Sequence, residues 1–83
     1  MADGTVREVD LRRGMFIVAI DDGDFVVFEL CDGIDIAAGD RIRGDLEALG
    51  GETLQHLGQR RQFEAYGQSG PSSLAACQRL LFR

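Results

Sequence analysis

Lysine and asparagine are absent from this sequence, and proline occurs once. All the positive charge is therefore arginine, whose guanidinium suits phosphate contacts and stacking on bases. Glycine, alanine and arginine abound where asparagine is missing, so a GC-rich coding bias explains the same facts with no demand from function. Cysteine is scarce as well. Cys31 and Cys77 stand far apart, with no histidine or second cysteine at metal-ligand spacing, which removes any zinc motif and favours free thiols over a disulfide. No apolar run approaches the roughly 18 residues of a membrane span. The start, Met1-Ala2-Asp3-Gly4, has neither the basic flank nor the apolar stretch of a secretory signal. A soluble, cytoplasmic chain with no membrane partner is the expectation.

At 83 residues the chain suits one domain. A chain this short buries only roughly 60–65% of the surface its unfolded form exposes, so a deep catalytic cleft would come at the expense of packing it needs. Binding or assembly is expected, and enzymatic activity is not. His56 is the single histidine, and no serine or cysteine stands at a nucleophile's spacing from it, so no catalytic residue is assigned. Asp21, Asp22 and Asp24 cluster, but they lack the ligand spacing and closing glutamate of a calcium loop and read as turn chemistry. No metal and no cofactor is expected.

The net charge of −5 disfavours generic affinity for a polyanion. Its distribution is uneven: residues 1–52 hold thirteen acidic side chains and five arginines, residues 53–83 one glutamate and four arginines. An acidic barrel with a basic tail could steer an anion to one end or pair with a second copy of itself.

Gly4 to Leu11 reads as a first strand whose apolar residues Val6, Val9 and Leu11 break alternation, so a bulge is expected there to return Val9 and Leu11 to the core. Met15–Ile20 is apolar throughout and of strand length. Asp22-Gly23 supplies a tight turn into a third strand, Phe25–Leu30. Residues 32–39 form a loop with room for one helical turn, ending at Gly39-Asp40. Arg41–Leu49 alternates cleanly, with Ile42, Gly44, Leu46 and Ala48 on one face, and Gly50-Gly51 reads as the turn into Glu52–Leu57. Gln62–Tyr66 offers a further short strand. Gln68 to Pro71 reads as a linker, after which Ser72 or Ser69 caps a helix running to about Phe82, with Leu74, Cys77 and Leu81 as an apolar stripe. The predicted fold is all-β with a C-terminal helix. It is a small OB-type antiparallel barrel of five strands, or six if Gln62–Tyr66 joins, over residues 1–67, with residues 68–83 as linker and packed helix.

The order Gly4-Thr5-Val6, Arg13-Gly14, Asp21-Asp22-Gly23 and Phe25-Val26-Val27-Phe28 resembles a cold-shock domain across residues 4–45. That family carries K-G-F-G-F-I where this chain has Arg13-Gly14-Met15-Phe16-Ile17-Val18, and F-V-H-F where it has Phe25-Val26-Val27-Phe28. The resemblance implies an OB-fold that binds single-stranded DNA or RNA by stacking bases on outward aromatic residues. This chain departs at the stacking positions, which hold Glu8, Met15, Ile17 and Val27. Each lost platform costs about 1–3 kcal/mol of single-strand binding, so only weak affinity is expected.

Arg12, Arg13, Met15, Phe16, Phe25 and Phe28 form the candidate nucleic-acid face, and Arg60-Arg61 a candidate anion contact. The competing reading makes the same apolar residues core on one face and helix contact on the other, giving a protein-interaction or self-assembly module with a protein partner or a homodimer. The solvent exposure of Phe16 and Phe25 separates the two.

Overall fold

The computed structural model describes residues 1–82. The apolar run folds as β2 (Met15–Ile20), flanked by β1 (Ala2–Asp10) and β3 (Phe25–Leu30). β4 (Arg41–Gly44), β5 (Gly50–His56) and β6 (Arg61–Gly67) form a second meander. Together they close a barrel in the order β1-β2-β3-β6-β5-β4, with every neighbouring pair antiparallel. The strand over Gln62–Tyr66 is thus a full barrel stave. With an even number of strands the barrel closes without a parallel seam and leaves no free edge.

Local chemistry fixes the hairpins. Gly23, at φ 109°, turns the chain between β2 and β3 while Ile20 N–H donates to the Asp24 carbonyl at 2.8 Å. The expected bulge in β1 falls between Val6 and Glu8, where the register against β2 shifts. Its backbone groups are met by the loop before β4: Val6 N–H donates to the Asp40 carbonyl and Gly39 N–H to the Val6 carbonyl, each at 2.8 Å. The shift returns Val9 to the core margin. Leu11 does not follow; it lies in the turn after β1, 76% exposed. No helical turn forms in residues 32–39, where Ile34 and Ile36 instead plug the barrel interior.

The second hairpin corrects the sequence reading. β4 ends at Gly44, the turn spans residues 45–49, and Gly50-Gly51 open β5 opposite Gly67 and Tyr66. Gly50 takes a positive φ of 89° as it opens the strand, and the crowding falls on its partner Gly67. A Cβ on Gly67 would collide with the Ala48 carbonyl, so the chain leaving β4 presses directly on β6. Inward alternation nevertheless runs past the strand's end to Leu46, which is buried.

Two apolar clusters result. Phe16, Val18, Ile20, Val26, Phe28, Ile42, Leu54 and Phe63 are among those filling the barrel, and the Phe16 and Phe28 rings stack at 6.0 Å. Met15, Ile17 and Val27 point outward and are buried by Cys77 and Leu81 of α1 (Leu74–Leu81). A helix this short is marginal in water, so this contact is what holds it. Its cap is Ser73, whose side chain accepts from Ala76 N–H at 3.1 Å. Ser72 and Ser69 serve otherwise: Ser72 exchanges backbone hydrogen bonds with Phe25, and Ser69 Oγ accepts from Val27 N–H at 3.1 Å. Residues 68–72 therefore strap the part of β3 that β6 does not reach.

Candidate interaction surface

The six residues of the proposed nucleic-acid face do not share a face. β2 alternates sides, so Phe16 enters the barrel with Phe28, both fully buried, while Met15 turns out beneath α1. Phe25 is half-buried against the same helix cluster. Arg12 and Arg13 lie exposed in the turn between β1 and β2. Arg13 Nη1 donates to the Leu81 carbonyl at 2.7 Å and lies 3.9 Å from Asp10, so it caps the C-terminal end of α1, where a cation is favoured by unpaired carbonyls. Gln78 adds a second polar tie from the helix, to Glu8 at 2.8 Å. The surface on which a base would stack is thus occupied by the chain's own helix.

Arg60 and Arg61 stand together at the turn from β5 to β6, beside a groove of ≈ 410 Å³ that Gln55, His56, Leu57 and Gln62 complete. Sequence reasoning gave the arginines but not the groove, because Gln55 and Gln62 meet only through the pairing of β5 with β6. His56 is buried, its Nδ1 accepting from Gln59 N–H at 3.0 Å. The remaining ring nitrogen, Nε2, lies 2.9 Å from an Asp40 carboxylate oxygen and therefore donates to it. Both ring nitrogens are engaged, and the histidine is a buried post joining β5 to the loop before β4. It follows Leu54 by two residues and shares its buried face of β5.

On the outside of β1 and β4, arginine and aspartate alternate. Arg43 binds Asp3 through two hydrogen bonds of 2.7 and 3.0 Å, and Arg41 grips Asp21 through two of 2.8 Å. The hydrogen bonds from Arg43 hold the Asp3 carboxyl below its ordinary 3.8, and those from Arg41 do the same for Asp21.

Antiparallel order distributes the turns, and the charge they carry, between the two barrel ends. One end gathers the turns at 21–24 and 45–49, which bring Asp22, Asp24, Asp45 and Glu47, with Met1 and Leu49 exposed beside them. The other gathers the turns holding Arg12, Arg13 and Arg60 and the loop holding Asp32 and Asp35, together with Phe82, which is 59% exposed. There Asp10, Arg12, Arg13 and Phe82 line a groove of ≈ 390 Å³. Phe82 falls outside the helix's apolar stripe, which was the available sign that it faces solvent. Among the described residues no group of histidine, cysteine and carboxylate side chains is placed to hold a metal ion, and no helix is long and apolar enough to cross a membrane. No protein-family model, curated protein or solved structure matches the chain.

Proposed function

We propose that this chain is a non-catalytic interaction module that binds protein, with a second copy of itself as the partner its surface fits. The observation that carries the reading is the burial of Met15, Ile17 and Val27 beneath α1, which fills the strand face that a base-stacking barrel leaves open. Arg13, the best-placed phosphate contact on that face, is engaged by the helix terminus. The choice of partner rests on complementarity. One barrel end is acidic with Met1 and Leu49 exposed; the other mixes Arg12, Arg13 and Arg60 with Asp32 and Asp35 and has Leu11 and Phe82 exposed. Head-to-tail contact would set the arginines of one end against the acidic turns of the other around apolar centres, the usual anatomy of a protein interface.

Sedimentation velocity over a range of concentrations tests the partner. Mass should rise with concentration at low salt and fall back towards the monomer at high salt, because exposed pairs are screened. A monomer at every concentration and salt overturns the second copy as partner. Titration with single-stranded DNA and RNA at low salt tests the module itself: the amide signals of residues 12–28 should stay in place, and a saturable shift there would restore the nucleic-acid reading.

A further inference from the structure

Arg60 has φ 55°, the left-handed conformation, and is the one described residue other than glycine with positive φ. That region is costly for a side chain with a Cβ, and glycine or asparagine is the default in a hairpin turn. Such strain points to a side chain with a task when its surroundings agree. Here they do. The groove beside Arg60 is lined by a second guanidinium, Arg61, and by the carboxamides of Gln55 and Gln62, with no carboxylate among its lining residues. Among the described residues Arg60 makes no ion pair, and Arg61 has only a distant one, 3.8 Å to Asp32 with both side chains partly exposed. In a chain of net charge −5, this is a donor-rich patch beside one cation with no ion pair among the described residues and a second held only by a long contact to Asp32.

From this geometry we infer that the groove between β5 and β6 is a binding site for a small phosphate monoester. Adjacent guanidinium groups repel one another, and a ligand near −2 relieves both where a monocarboxylate relieves one. A phosphate monoester carries about −1.5 to −2 at pH 7 and offers oxygens matched to the guanidinium fork. Its bulk also suits a groove of ≈ 410 Å³, within the ordinary range for small-molecule sites. A nucleic-acid strand fits less well, because its phosphates are single charges and the acidic barrel repels a polyanion. His56 forms the floor, with both its ring nitrogens already engaged by Asp40 and by Gln59 N–H. The site is separate from the helix-covered face.

The test is a titration of the full chain with phenyl phosphate, and separately with inorganic phosphate, at constant ionic strength, followed by amide NMR. Saturable shifts confined to residues 55–62 are expected, with phenyl phosphate binding more tightly if the groove holds the organic group. Arg60→Gly discriminates. It should raise the melting temperature by relieving the backbone while weakening phosphate binding at least tenfold, a combination that a merely structural arginine would not give. Arg61→Gln, which leaves the turn untouched, should weaken binding similarly. Shifts that do not saturate, shifts spread equally over all arginines, or unchanged binding by Arg60→Gly would each overturn the site.

Discussion

Phe16, Val18 and Ile20 point from β2 into a closed barrel, whereas Met15 and Ile17 of the same strand point away from it beneath an eight-residue helix. The two faces are equally apolar, yet they are covered differently. The inner face is enclosed by all six strands and by Ile34 and Ile36 from the loop. The outer face depends on one short element, held at its start by the Ser72–Phe25 bridge and at its end by Arg13. The first cluster should therefore determine whether the barrel exists, and the second whether its outer surface is closed.

The largest expected effect is on the inner face. Phe16→Ala removes a ring packed between Phe28 and Phe63 and should cost about 3–5 kcal/mol, a large share of what so small a domain possesses. Urea unfolding should show a much lower midpoint, with every strand losing protection together. Leu81→Ala should cost less, towards the lower end of about 2–5 kcal/mol, because the helix margin can relax into the gap. Hydrogen exchange reads the distinction: amides of α1 and of the 68–72 strap should open well before those of β2 and β5. If all of them open together in Leu81→Ala, the two clusters are one cooperative unit and the comparison breaks.

How far the sequence anticipated these faces follows from the same contrast. β2 and β3 were legible to the residue, since each is an uninterrupted apolar string between turn residues. That same continuity hid which side faced inward. A strand apolar at every position carries no alternation, so Phe16 and Met15 read as neighbours on one surface when the pleat sends them to opposite ones. Arg13 was legible as an exposed cation but not as a helix cap, because Leu81 lies far along the chain. Gly50-Gly51 misled for a different reason. Gly50 uses its positive φ at the first residue of a strand instead of inside the turn, and its pairing with Gly67 is a tertiary fact that no local window contains. The helix stripe succeeded because Leu74, Cys77 and Leu81 share one face at helical spacing, with polar and small residues between.

The smallest expected effect sharpens the comparison through pH. Asp3 with Arg43 and Asp21 with Arg41 tie the outside of the seam formed by β1, β2 and β4, while the apolar cluster under α1 contains no carboxylate. Arginine hydrogen bonds hold both aspartates below the ordinary 3.8 in the folded protein. A carboxyl whose folded pKa is depressed favours folding in its charged form. Its contribution is complete above the unfolded value and fades as pH falls through the folded one, so the loss belongs below about pH 4. Both pairs lie at the surface and are partly exposed, and the effect should be modest and weaker in high salt. Acid titration followed by amide exchange should loosen Asp3, Thr5 and Arg43 while Ile17 and Val27 hold their protection. Asp3→Asn should flatten that acid response at the β1–β4 pairing without moving the melting behaviour of the helix. If instead α1 and its strap are the first to release in acid, the outer cluster depends on charge as well as on apolar packing, and Arg13 with Asp10 becomes the pair to substitute next.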